Sequence, residues 1–345
     1  MDYQKEYERW VENVTPQQKQ ELLSLSEQEK KERFYTDLEF GTAGMRGILR
    51  LGSNGMNEYT VGRATLGLAG YVCACKKQQE GVAISYDSRH RSREFACLAA
   101  QILAYHGVHS YLCSQLRPVP LLSFAVRHYH AFAGIMITAS HNPKEYNGYK
   151  VYGQDGAQLS LEPAADMLSR IEKESYFGIK SMDFDTAVSR GLIQLVGEDL
   201  DDAYFEAVLP LIDKKTIAAC RDIKIVYTPI HGSGCKPVCR AFKELGLTGV
   251  QLLEAQAQPD GDFSTVKSPN PENIEALSMA IDYAKKTGAR LVVGTDPDCD
   301  RVGVAVRDKN GDYVPLTGNQ LGCVLLDGLL KAKKEAGTLP KNGVF

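Results

Sequence analysis

Between residues 81 and 138 short apolar runs alternate with longer segments whose apolar residues recur at helical spacing. GVAISYDS (81–88) fits a buried strand, and REFACLAAQILAYHG (93–107) fits a helix that stops at a glycine. VHSYLCS (108–114) is a second strand, PVPLLSFAVRHYH (118–130) a second helix opened by proline, and FAGIMIT (132–138) a third strand. Strand–helix–strand–helix–strand predicts an α/β sheet with crossover helices. A second series follows: strand IKIVYT (223–228), a helix to Leu245, strand GVQLLEA (249–255), a helix over 272–287, and strand ARLVVGT (289–295). VGVAVRDKNGDYVPL (302–316) predicts a hairpin about Asn310–Gly311, and 318–333 one more helix. The two series resemble each other in pattern only.

The flanking segments are less regular. Residues 2–35 are rich in Glu, Lys and Gln, with Tyr7, Trp10, Val11, Val14, Leu22, Leu23 and Leu25 interspersed, and predict one or two amphipathic helices on the outside of the first domain. The glycine-dense GTAGMRGILRLGSNGMN (41–57) predicts loop and turn. A helix over Leu161–Tyr176 and a polar stretch lead to a boundary near Glu198–Asp202. The expected domains are 1–200, 201–315, and the start of an incomplete third over 316–345.

Composition narrows the class. At 345 residues, 43% apolar and 24% charged, the chain suits about two globular domains. A net charge of -3 argues against nucleic acid as partner. The run Ala131–Ala139 is far short of the ~20 residues that span a bilayer, and the N-terminus is charged from its second residue, unlike a signal peptide. The nine cysteines are scattered without paired Cys-x2-Cys knuckles, which fits reduced thiols in a cytoplasmic protein rather than a zinc site.

Chemistry concentrates where strands end. In GTDPDCDRVGV (294–304), Asp296, Asp298 and Asp300 alternate after an apolar strand, so their side chains project to one side of an extended backbone. Three converging carboxylates call for a hard cation, with Mg²⁺ favoured where phosphate is present. An EF-hand would need Gly at Arg301 and Glu at Arg307; a solvated acidic turn is the bland alternative. ITASHNPKEYNGYK (137–150) gathers Thr138, Ser140, His141, Lys144 and Lys150 at another strand end, a set suited to a phosphate-carrying hydroxyl. Asn142-Pro143 alone would signal only a turn, and no G-x-S-x-G elbow surrounds Ser140. GTAGMRG (41–47) offers backbone N–H groups and one cation, Arg46, for a phosphate, with a simple turn as the equal reading. HGSG (231–234) is equally ambiguous, and His231 suits a structural role as well as a functional one.

Taken together and in order, GTAGMRG, TASHNPKEYNGYK, TPIHGSG and GTDPDCDR resemble the α-D-phosphohexomutase family from about residue 35 onward, most like its phosphoglucomutase–phosphopentomutase branch. The resemblance implies consecutive α/β/α sandwich domains with mixed sheets, plus the start of a third. It implies Ser140 as the phosphorylated residue, and one Mg²⁺ held by Asp296, Asp298, Asp300 and an oxygen of phospho-Ser140. Arg301 would offset charge beside the metal. Arg46, His141 and Lys150 would handle protons or charge around the transferring phosphoryl group, with Thr138 and Asn142 lining its site. The implied reaction moves phosphate between the 1- and 6-positions of a hexose phosphate, foremost glucose 1-phosphate and glucose 6-phosphate, through a hexose bisphosphate that also activates. Pentose and mannose phosphates are alternatives. The small-molecule sugar phosphate is the only partner implied; neither membrane nor a particular oligomer is.

The family's sugar-recognition loop and distal phosphate clamp have no counterpart in the sequence. This suggests a C-terminally truncated chain that assembles phosphate and metal without appreciable mutase turnover. Two other classes compete: an aspartate-nucleophile phosphatase using Asp296 or Asp298, and a non-catalytic phosphosugar-binding module.

Overall fold

A computed structural model describes residues 2–41 and 44–343, so Thr42 and Ala43 of the first glycine-rich stretch lie outside the described residues. The chain divides into two packed units: Met1–Asp202 with Asp260–Asp262, and Ala203–Pro259 with Phe263–Phe345. Both are α/β units built on a mixed sheet.

The first unit begins with three helices, α1 (Tyr3–Asn13), α2 (Pro16–Leu23) and α3 (Glu27–Phe34), rather than one or two. Asp2, Thr15 and Ser26 each accept backbone N–H groups at a helix start, which separates the segment into three capped pieces. Trp10 secures them. It is fully buried, with ring centroids 5.2–5.8 Å from Phe34, Tyr59, Tyr176 and Phe177. Its indole N–H donates to Glu6 Oε1 at 3.0 Å.

The remaining elements are β1 (Met45–Ile48), α4 (Glu58–Ala74), β2 (Val82–Tyr86), α5 (Ser92–Tyr105), β3 (Ser110–Cys113), α6 (Val119–His128), β4 (Ala133–Ile137), β5 (Tyr146–Gly153), α7 (Leu161–Ile171), α8 (Phe184–Ser189), β6 (Ile193–Val196) and α9 (Glu198–Val208). The sheet order is β1-β5-β4-β2-β3-β6; β4, β2, β3 and β6 run parallel, β5 lies antiparallel to β4, and β1 lies antiparallel to β5. Every residue of β2 and β4 is buried, as a central strand covered on both faces requires.

Several readings change here. The glycine-dense stretch contains a strand, because β1 gains its order by pairing with β5 rather than from local propensity. The segment after Asn57 is a 17-residue helix, α4, whose small residues (Gly62, Ala64, Gly67, Ala69) let it lie close to its neighbours. Helix α7 stops at Ile171, because Tyr176 turns to pack beside Trp10. The division between the two packed units falls after Asp202, inside α9.

The second unit contains α10 (Lys214–Ala219), β7 (Ile225–Thr228), α11 (Cys235–Glu244), β8 (Val250–Leu252), α12 (Ile274–Thr287), β9 (Leu291–Thr295), β10 (Val302–Arg307), β11 (Tyr313–Leu316) and α13 (Gly318–Glu335). Its sheet order is β11-β10-β9-β7-β8, with β9, β7 and β8 parallel, β10 antiparallel to β9, and β11 antiparallel to β10. The core packs α12 residues Leu277, Ala280 and Ala284 against Val226 and Val292. Helix α13 has no buried side chain, and no helix among the described residues is long and apolar enough to cross a membrane.

The likeness between the two series is topological as well as periodic. Strands β5-β4-β2-β3 of the first unit and β10-β9-β7-β8 of the second have the same order and directions. The serine loop joins β4 to β5, and the aspartate loop joins β9 to β10. Both candidate loops therefore occupy the same step of the same topology, at the carboxyl end of a central parallel strand, where α/β sheets place their sites.

Candidate functional site

Thr138 begins the serine loop as β4 ends. Its hydroxyl donates to Asp87 Oδ2 at 2.7 Å and accepts the Ser140 N–H at 2.8 Å. Ser140 then adopts φ +52°, a left-handed conformation that costs a non-glycine residue about 1–3 kcal/mol and persists only where surroundings impose it. The residue is buried, and its Oγ lies 3.1 Å from His141 Nδ1, so the hydroxyl can pass a proton to a neutral imidazole.

What imposes this conformation is a pair absent from the expected site, Asp87 and Arg89. They follow β2, with side chains fully buried and in contact at 3.3 Å. The Arg89 guanidinium donates to the carbonyls of Ser140 and Asn142, both at 2.6 Å, and to those of Pro143 at 2.9 Å and Tyr146 at 3.0 Å. Asp87 also accepts from Ser92 Oγ at 2.8 Å and the Arg89 N–H at 3.0 Å. One planar cation thus organises four carbonyls of a loop that lacks ladder partners, which only a guanidinium's fixed fork of donors can do. The sequence signal was available: two charged residues immediately after a wholly apolar strand, YDSR, must be paired if buried.

The other expected residues reach the loop by strand register. Arg46 of β1 stands opposite Gly148 of β5, and Lys150 lies two residues farther on the same face, opposite Met136 of β4. Arg46 is exposed and donates to Asn142 Oδ1 at 3.1 Å, while Lys150 is buried. Lys144 instead pairs with Asp262 at 3.2 Å on the surface. Gly148 is required where these strands meet, since a Cβ there would lie 2.5 Å from the Thr138 carbonyl oxygen and 2.9 Å from that of Met45. Gly148→Ala should therefore destabilise the first unit by about 1–3 kcal/mol, with thermal unfolding several degrees lower. An unchanged melting temperature would contradict this packing.

In the second unit Asp296 and Asp298 are fully buried and Asp300 is exposed; each can place an oxygen within 4.8 Å of the others'. Asp296 Oδ1 accepts the N–H groups of Asp300 at 3.2 Å and Arg301 at 3.0 Å, which closes the loop on its first carboxylate. Three carboxylates this close, two without access to bulk water, are a group that could hold a metal ion, and all-oxygen donors suit a hard divalent cation. Arg301 contributes its amide, while its guanidinium turns to Glu272 at 3.4 Å. Burial pushes the Cys299 thiol up to about 12, so it stays protonated inside the loop.

The loop after β7 braces this one. Ser233 donates both its N–H and its hydroxyl to the Pro297 carbonyl at 2.8 Å. Gly232 and Gly234 allow the approach: a Cβ on Gly232 would sit 2.6 Å from Pro297 Cα, and one on Gly234 2.7 Å from Thr295 Oγ1. His231 is a structural residue of this brace. Its Nδ1 donates to the Gln258 carbonyl at 2.9 Å, and its Nε2 shares a hydrogen bond of 2.8 Å with Thr265 Oγ1.

With this geometry established, comparison with known proteins is consistent. The family model described as phosphoglucomutase/phosphomannomutase, alpha/beta/alpha domain I, matches residues 37–177, and that for domain II matches residues 202–311. The chain is similar to phosphoglucomutases of Staphylococcus epidermidis (strain ATCC 35984), 41% identical over 307 residues, and Staphylococcus aureus (strain N315), 40% identical over 305 residues. These alignments cover 88% of this chain and 55% and 54% of the relatives, so the chain spans about half the length of the curated relatives it matches. Among solved structures, a protein of Thermus thermophilus assigned as a phosphomannomutase aligns with TM-score 0.67 at 26% identity, covering 81% of this chain and 58% of the other.

Proposed function

This chain belongs to the phosphoglucomutase/phosphomannomutase family, and on that premise we propose that Ser140 carries the phosphoryl group of a hexose-phosphate mutase. The carrying observation is the Ser140 hydroxyl: buried at a strand end, held in a left-handed conformation by the Asp87–Arg89 pair, and hydrogen-bonded to His141. A turn residue would need neither the strain nor a buried cation to impose it.

In this reading phospho-Ser140 gives its phosphoryl group to the free hydroxyl of a hexose monophosphate: the sugar O–P bond forms, the Ser140 Oγ–P bond breaks, and the hydroxyl's proton is taken up through His141. The bisphosphate then turns over, Ser140 Oγ attacks its other phosphoryl group, that sugar O–P bond breaks, and the proton returns to the sugar oxygen, which leaves phospho-Ser140 and the isomeric monophosphate. Arg46 and Lys150, on one face of the β1–β5 pair, supply positive charge as the phosphoryl oxygens gain negative charge, with Thr138 and Asn142 fixing the loop that presents it. Asp296, Asp298 and Asp300 would hold one Mg²⁺, with an oxygen of phospho-Ser140 as a further ligand, supplying charge neutralisation at the transferred group. Glucose 1-phosphate and glucose 6-phosphate are the proposed pair, with a hexose bisphosphate between them; mannose and pentose phosphates are the alternatives within the family.

The metal assignment is separately testable. Asp298→Asn should leave the fold intact, since it removes like charge from a crowded loop, and should weaken Mg²⁺ binding. The expected loss exceeds the roughly 10–100-fold that removing a mere outer-shell partner costs. Calorimetric titration of the chain itself gives the answer, and equal affinity in both proteins would sink the ligand set. An aspartate-nucleophile phosphatase would instead form an acyl phosphate. Phosphate bound to the chain should therefore be stable to acid and resistant to hydroxylamine if Ser140 is the carrier.

A further inference from the structure

The loop after β7 contains two consecutive left-handed residues, Ile230 at φ +45° and His231 at φ +60°. A left-handed β-branched residue is an outlier, and two such residues in a row persist only where their surroundings impose them. Both are buried. Beyond them Gly232 bonds back to the Pro229 carbonyl at 2.8 Å, and Ser233 meets Pro297 of the aspartate loop.

Both residues answer to one side chain. Gln256, in the single turn after β8, is fully buried. Its Oε1 accepts from Thr228 Oγ1 at 2.6 Å, and that hydroxyl in turn accepts the Ile230 N–H at 3.1 Å. Its Nε2 donates to Thr265 Oγ1 at 2.9 Å, and Thr265 shares the 2.8 Å hydrogen bond with His231 Nε2. Its main-chain carbonyl accepts the His231 N–H at 2.9 Å. One residue therefore holds Ile230 from one side and His231 from the other. Topology points the same way. β7 stands in the second sheet where β2 stands in the first, and β2 is followed by the Asp87–Arg89 pair that fixes the serine loop.

We propose that Gln256 is the positioning residue of the aspartate loop, the counterpart of Arg89 in the serine loop. It acts through other residues: it imposes the left-handed turn at 230–231, and that turn sets Ser233 against Pro297. Pro297 separates Asp296 from Asp298, so the two bonds from Ser233 to its carbonyl fix the direction in which both carboxylates leave the chain. An amide both accepts and donates, and does so without a buried charge that would need a partner. The effect on metal rests on the reading of Asp296, Asp298 and Asp300 given above; the effect on the order of the loop does not.

The test uses the whole chain, well below its melting temperature. Gln256→Leu removes the amide, Thr228→Val removes only the hydroxyl link to Ile230, and Thr228→Ser keeps that link. The leucine and valine variants should bind Mg²⁺ about 10–100-fold more weakly by calorimetric titration, as expected when a partner outside the ligand set is lost. Amide exchange at Ser233 and 299–301 should quicken about fivefold or more relative to β9, the equivalent of one hydrogen bond lost. Thr228→Ser should match the wild type in both measurements. Ile281→Ala, a core change in α12 outside this network, should lower the melting temperature and leave both measurements unchanged. Unchanged affinity in Gln256→Leu and Thr228→Val, or an equal loss in Ile281→Ala, overturns the assignment. Where Gln256→Leu does not fold, Thr228→Val set against Thr228→Ser decides on the same terms. A wild-type chain that binds no Mg²⁺ removes the metal reading instead; faster exchange at Ser233 and 299–301 in the variants then supports the positioning role, and unchanged exchange overturns it.

Discussion

Ser140→Ala should abolish phosphate uptake by the chain from a hexose 1,6-bisphosphate. The wild-type chain, incubated with glucose 1,6-bisphosphate and Mg²⁺, should gain the mass of one phosphoryl group on the peptide containing Ser140. The alanine variant should gain none, a loss on the order of 10⁴-fold or more in transfer rate, as expected when the attacking atom itself is removed. Folding should be little affected, because Arg89 holds the loop through the backbone carbonyls of Ser140, Asn142, Pro143 and Tyr146, which the substitution leaves in place. His141→Ala keeps the attacking oxygen and removes its proton acceptor, so its loss should be smaller, about 10²–10⁴-fold. Phosphate on a residue other than Ser140, or equal uptake by the alanine variant, would end the phosphoserine proposal.

Arg89→Met should be the most destabilising single change at the site. It leaves Asp87 as an uncompensated buried charge, a situation that costs about 3–5 kcal/mol, and it withdraws the donor from four loop carbonyls. For a unit of this size that is a fall in melting temperature on the order of 6–20 °C. Arg89→Lys should recover the charge but not the loop, since one ammonium cannot serve four carbonyls fixed around a planar fork. It should therefore fold better than the methionine variant yet still transfer phosphate slowly. Adding Asp87→Asn to Arg89→Met should cost less than the two single changes summed, because the stranded charge is gone. Calorimetry of the set decides it; additive losses would mean the two side chains do not act as a pair.

Much of this arrangement could be read along the chain. Strands β2 and β4 are apolar runs bounded by turn residues, and α5 and α12 carry their periodicity openly, so local pattern and final structure agree. Both candidate loops were legible because chemistry-bearing residues at strand ends have few structural reasons to cluster. The N-terminal caps at Thr15 and Ser26, each followed three residues on by Gln18 or Glu29, were also legible, and would have split the first segment into its separate helices.

Other features depend on partners far away in sequence. β1 lies in a glycine-rich stretch with no strand signal of its own, and exists because β5 offers it a ladder. α7 ends early because Tyr176 finds Trp10, more than 160 residues before it. Arg89 looks like an ordinary surface charge until the fold brings residues 140–146 around its guanidinium. Ser233 looks like part of a flexible turn until Pro297 closes on it. The sequence by itself determined the α/β class, the order of strands and helices, and the residue types at both loops, because these follow from periodicity and from local chemistry. Tertiary structure alone decided which buried charge braces the serine, which loop braces the aspartates, and that both loops stand at equivalent steps of a repeated topology. Those facts are pairings between distant segments, and no local preference encodes a partner that the chain has yet to meet.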